Sequence, residues 1–266
     1  MSLSQKQLYL NNQVVATIVL VFCWMNVSFA SEPTVKEYYE AAMQDLRKGD
    51  YEPAIEKLQN ALALNRSIPD VYNLMGVAYM QKPDSQTNAV HYLEQAIELN
   101  PSLTDAYVNL GSVYASMKVE DEEKTKEMSR DCFQKALDLK PDSFKALIGL
   151  GWIYLSNWHD AKKAEEYFLE AVNLNPKQPE AQYGLGLVYA VLDRPALTLK
   201  PISFLRSINR SDLAATIESV ERSRDKTVAI SRVASSASGS HPQTGGQQPQ
   251  GTSSPRPRNP FAPPNS

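Results

Sequence analysis

Apolar side chains recur with helical spacing through the middle of the chain. Tyr72, Met75 and Tyr79 stand at i, i+3 and i+7, and Tyr107, Leu110 and Tyr114 repeat that stripe, so each set lines one face of a helix. The stripes belong to one repeated block. Tyr72-Asn73-Leu74-Met75-Gly76-Val77-Ala78-Tyr79 aligns with Tyr107 to Tyr114, with Leu147 to Tyr154 and with Gln182 to Tyr189. Its glycines, 76, 111, 151 and 186, step by 35, 40 and 35 residues. A second block answers each of the first three: Ala89, Leu93, Ala96 and Pro101; Ser129, Phe133, Ala136 and Pro141; Ala164, Phe168, Ala171 and Pro176. Glycine inside a helix costs about 1 kcal/mol relative to alanine. Its regular return therefore predicts helices that approach too closely for a Cβ, with the alanines of the second block facing them. Asn100-Pro101, Lys140-Pro141 and Asn175-Pro176 mark the ends of the second helices, because the residue before proline avoids the helical region.

A fainter copy precedes these. Tyr38, Ala41, Ala42, Gly49-Asp50-Tyr51, Ala54, Leu58 and Ala61 keep the skeleton, with Asp45 in place of the tyrosine and Arg66 in place of the proline. The third unit is longer: Tyr114 to Phe133 spans 19 residues, against 14 for Tyr79 to Leu93. The insert, Lys118 to Lys126, is charged and predicts a lengthened loop or helix end in solvent.

The pattern W-x2-L-G-x2-Y, then A-x3-F-x2-A, then P resembles the tetratricopeptide repeat, and the likeness runs from about residue 34 to 192. The resemblance implies an all-α fold: a right-handed superhelical solenoid of about five helix-turn-helix repeats, followed by a capping helix and a disordered tail. The expected divisions are a signal peptide or membrane anchor at 1–30, a degenerate first repeat at 31–68, and repeats at 69–103, 104–143 and 144–178. A divergent fifth repeat at 179–210, a capping helix at 211–235 and the tail at 236–266 complete the chain. In the fifth unit Pro195 and Pro201 are expected to disturb the pair, and Phe204 sits where the second-helix aromatic belongs. Ser211-Asp212 opens the capping helix, whose Leu213, Ile217, Val220, Val228, Ile230 and Val233 should cover the last repeat; the alternative is that it reaches into the groove.

Proteins of this kind hold peptides on a concave face lined by the first helix of each repeat. With the shared glycine and tyrosine placed in the inter-helix seam, the groove positions are Tyr39, Met43, Asn73, Val77, Val108, Ser112, Ile148, Trp152, Tyr183 and Leu187. Relatives that grip a terminal carboxylate carry Lys, Arg and Asn there. Here only Asn73, Asn109 and Lys145 are of that type, so no carboxylate clamp is expected. Small residues, Ser112, Ala115, Ser116 and Gly149, beside Ile148, Trp152, Tyr183 and Leu187 predict a pocket for an amphipathic helix or apolar peptide, unless those side chains pack internally.

The ends differ from the middle. Residues 1–30 hold one charge, Lys6, and an apolar run from Val14 to Met25, short of the roughly 20 residues that span a bilayer. Ser28-Phe29-Ala30 then predicts export with cleavage after Ala30, to a periplasmic or secreted destination; an uncleaved anchor over residues 14–30 is the alternative. From Ser236 the chain is Ser, Gly, Gln and Pro, too polar to bury a core, with one proline motif from Pro255 to Pro260.

Charge and chemistry point away from catalysis. Residues 31–200 carry 18 basic and 26 acidic side chains, a net of −8, which argues against nucleic acid; residues 201–266 carry 8 and 4. Loss of the leader leaves Cys132 alone, in an apolar helical pattern that suits a buried thiol. His91, His159 and His241 lie apart without zinc spacing, and no phosphate loop, nucleophile elbow or dinucleotide fingerprint occurs. The expectation is a non-catalytic scaffold for a protein or peptide partner, without cofactor or metal. An unrecognised enzyme or enzyme subunit using polar groove residues is the alternative.

Overall fold

The computed structural model describes residues 33–117, 122–156, 159–223 and 225–239. The leader and the tail from residue 240 onward lie outside that range. The described residues form twelve α-helices. Five antiparallel pairs come first: α1 (Val35–Lys48) with α2 (Tyr51–Leu64), α3 (Pro69–Met80) with α4 (Gln86–Leu99), α5 (Thr104–Ser116) with α6 (Glu122–Leu139), α7 (Phe144–Ser156) with α8 (Ala161–Leu174), and α9 (Pro179–Val191) with α10 (Pro195–Ser207). Two further helices follow, α11 (Ser211–Arg222) and α12 (Lys226–Gly239). The all-helical solenoid matches the expectation from the repeat.

Local chemistry sets the helix ends. Thr34 and Glu37 form a reciprocal capping box that opens α1. Gly49 ends it in the left-handed region at φ 85°. Between pairs, an asparagine carbonyl accepts the N–H two residues on: Asn65 from Ser67, Asn100 from Ser102, Asn175 from Lys177. The first of these turns forms although Arg66 stands where later repeats have proline, so asparagine rather than proline shapes the corner. The insert of the third unit lengthens a helix: α6 has 18 residues, against 14 in α2, α4 and α8, and its extra turn includes Glu122 to Lys126.

The seams are knobs on glycines. A methyl group on Gly76 would come within 2.5 Å of Leu93, and one on Gly111 within 3.1 Å of the Phe133 ring. The same ring also presses on Gly149 of the next pair, where a methyl would lie 2.5 Å away, and Phe168 sits likewise between Gly151 and Gly184. Each phenylalanine thus needs a glycine from its own repeat and a second, two residues before the repeat glycine, from the following one. Leu58 and Leu93 are smaller, and the corresponding positions hold Leu74 and Asn109. Gly149 is therefore a seat for Phe133 and not part of a groove pocket.

A second contact runs beside each seam. Tyr79 stacks on Tyr92 and Tyr154 on Tyr167, at centroid separations of 5.3 and 5.5 Å. In the first pair the same two places hold Asp45 and Lys57, which form an ion pair. In the third they hold Tyr114 and Cys132. Burial pushes the Cys132 thiol up to about 12, the opposite of what a thiolate nucleophile requires.

The fifth pair corrects the sequence reading. Pro195 starts α10 at its first turn, and Pro201 lies within it without ending it. Thr198, Ile202 and Leu205 take the buried stripe, while Phe204 is only half-buried. Gly186 faces Pro201 and Ile217, so the knob for the last glycine comes from α11. That helix caps the stack: Ala214, Ile217 and Val220 are buried against α9 and α10, and Arg206 pairs with Glu218 at 2.5 Å.

Candidate functional site

The first helices of successive pairs touch one another along the stack, α1 with α3, α3 with α5, α5 with α7 and α7 with α9, whereas no two second helices make a comparable contact. Closer spacing in one layer bends the stack toward it, so the first helices form the concave side. The residues picked out by register fall on this layer, but they do not form one uniform surface.

Over the first three pairs the inner face mixes polar and apolar side chains, and among the described residues no other helix lies over it. Asn109 donates from Nδ2 to Asn73 Oδ1 at 2.9 Å, linking neighbouring pairs. Met43, Val77 and Ser112 are half-buried, the last donating its hydroxyl to the Val108 carbonyl at 2.9 Å, and Ala115 and Ser116 are exposed. Tyr39 and Val108 are 5% and 4% exposed, so they support this surface from beneath. Asp70 and Asp105 open α3 and α5 beside it. Desolvation, with the charge of Asp105, raises the Asp70 carboxyl above its usual range; burial with the same two carboxylates nearby pushes the Tyr39 hydroxyl up to about 12.

Over the last two pairs the inner face is apolar and occupied. Helix α12 packs on α7, α9 and α11, across the inner layer. Its Ile230, 2% exposed, joins one cluster with Leu155, Leu187 and Val188, and Ala229, Val233, Ile148, Trp152 and Tyr183 pack around it. Leu155 is 1% exposed, while its counterpart in the third pair, Ala115, faces solvent. Trp152 meets the Phe168 ring edge-on at 5.5 Å and Tyr183 at 5.8 Å. Burial raises the Tyr183 hydroxyl above the ordinary tyrosine range. Leu187 is fully buried. The aromatic end of the predicted groove is thus filled by the chain's own C-terminal helices, and the segment expected to be one capping helix is two, one capping the end and one lying inside. The signal that separates them is Asp225, which accepts the Val228 N–H and starts a new helix.

No three His, Cys, Asp or Glu side chains converge among the described residues, and no helix there is long and apolar enough to cross a membrane.

Comparison with known proteins agrees with this architecture. A family profile described as TPR repeat matches residues 39–82, and one described as tetratricopeptide repeat matches 69–103 and 144–178. These stretches are tetratricopeptide repeats. Among solved structures, a thermophilic TPR protein of Thermus thermophilus superposes with a TM-score of 0.58 at 17% identity, covering 70% of this chain and 98% of that one. MamA from Desulfovibrio magneticus RS-1 gives 0.54 at 21%, covering 68% and 98%. YrrB, described as a TPR protein with an unusual peptide-binding site, gives 0.51 at 20%, covering 69% and 91%. These likenesses show the fold. None of the curated protein sequences matches this chain. The repeats identify a protein-interaction scaffold of a generally non-catalytic class.

Proposed function

We propose that the chain is an exported adaptor that receives an extended segment of another polypeptide on the inner face of its first three pairs, in the assembly of cell-envelope or secretion complexes. The observation that carries this reading is the contrast along the inner layer: Ala115 is exposed and Leu155 buried, and among the described residues a helix lies over the fourth and fifth pairs and none over the first three. Asn73 and Asn109 present amide groups suited to a peptide backbone, and Asp70 and Asp105 favour a segment carrying a basic residue. The apolar leader and the small residues before Ser31 support export, and mass spectrometry of the mature N-terminus tests it, with Ser31 as the expected first residue.

The binding surface is tested by placing a photo-crosslinking residue at Asn73 or Ser112, and at outer-face Glu98 as control, in the native host. Discrete adducts from the two inner positions and none from Glu98 support the reading. Equal labelling from all three would refute it.

A further inference from the structure

Helix α12 differs from α11 in how it is held. Three buried side chains and a knob into Gly186 make α11 part of the stack. Among the described side chains of α12 one is buried, Ile230, flanked by Ala229 and Val233, while Thr227, Val228, Ser231 and Arg232 face outward. Its leading Lys226 donates to the Ala190 carbonyl at 2.8 Å and pairs with Asp193 at 2.7 Å, so a cation sits at the C-terminal end of α9, where the helix dipole is negative. Helices α7 and α9, against which α12 packs, bring Ile148, Trp152, Leu155 and Leu187 into the same apolar cluster as Ile230. The seat and its occupant fit by aliphatic residues three apart behind a cation. Among the described side chains α12 buries one residue where α11 buries three.

We propose that the inner face of the fourth and fifth pairs is a second binding surface, for a partner's short amphipathic helix with a leading Lys or Arg and aliphatic residues at the spacing of Ile230 and Val233, and that α12 is its resident, displaceable occupant. This rests on the reading that the inner face receives polypeptide, but it concerns a different stretch from the one probed at Asn73 and Ser112, so either can fail alone. The apolar lining selects a helical ligand here, whereas the asparagines and carboxylates of the first three pairs select an extended one.

The test uses the full chain with Trp24→Phe and Trp158→Phe, which leaves Trp152 as the single reporter. Ile230→Asp with Val233→Asp should release α12 and shift Trp152 emission to the red. A fluorescent peptide of residues 225–239 should then bind the released chain at least tenfold more tightly than the parent, and the same peptide bearing Ile230→Asp should not bind. Lys226→Glu, which leaves the apolar contacts intact, should give an intermediate gain, so the outcome does not hang on one severe variant. Equal binding to parent and released chains, or binding to neither, overturns the proposal. Dimers formed on mixing the two chains overturn it as well, by assigning the seat to a second copy.

Discussion

The two ends of the solenoid use one repeat with different side chains. In the first two pairs the seam knobs are leucines, the following repeat holds Leu74 or Asn109 at the matching place, and no described helix lies over the inner face. In the third and fourth pairs the knobs are phenylalanines and each following repeat concedes a second glycine, while α12 overlays the apolar inner face of the fourth and fifth pairs. The seam changes at the third pair and the cover begins at the fourth. A larger ring in the seam demands glycine next door, and an apolar inner face in water demands a cover.

The largest blow to the C-terminal half should come from Ile217→Ala, which empties the knob over Gly186. Truncating a fully buried isoleucine costs roughly 2–5 kcal/mol. Hydrogen exchange should show α9 to α11 opening first while α1 to α4 keep their protection, as expected where each repeat leans only on its neighbours. Uniform loss along the chain would show that the two halves are not energetically distinct.

The glycine rule can be sharpened next. Gly184→Ala drives a methyl group into the buried Phe168 ring and should cost about 1–3 kcal/mol by chemical denaturation. Phe168→Leu, which imports the N-terminal arrangement, should recover part of that loss in the double variant. A strictly additive double variant would reject the proposed pairing of knob and second glycine.

Two smaller effects probe the turns and the polar face. Asp84, His159 and Asp193 occupy the left-handed region within their hairpins, as Gly49 does in the first. Of these His159 is the least suited, so His159→Gly should raise stability by about 0.5 kcal/mol. Asp70→Asn should have the slightest effect. Because folding raises the Asp70 carboxyl, its ionised form is disfavoured in the native state, and stability from this group is lost as pH rises through the folded value. The variant should therefore melt slightly higher near neutral pH, with the gain vanishing in acid below the ordinary carboxylate range. A gain that grows on acidification would reverse the assigned sign.

Much of the fold was legible because helix pairing writes itself into period and residue size: the glycine steps, the alanines and the Asn-Pro corners each correspond to a contact in the structure. The misreadings came where the partner was remote. Nothing near Gly149 in sequence signals that Phe133 needs it, and only the joint appearance of Phe133 with Gly149 and of Phe168 with Gly184, against Leu93 with Asn109, could have revealed the rule. Phe204 misled because the turn before α10 is one residue shorter, which moves the stripe to Ile202. Groove positions were found by register, yet whether a position faces solvent depends on what lies over it. Asp225, the residue that splits the C-terminal segment, was a helix-start signal overlooked within a run of apolar spacing.

Only Ser223, Arg224 and Asp225 separate α11 from α12. A tether this short keeps the inner helix at a local concentration of about millimolar or more, regardless of how weak its own grip is. Any outside helix competes against that standing level. Dilute, weak binders are thereby screened out, and the concentration at which a strong partner half-fills the seat rises by the fraction of time the resident helix holds it.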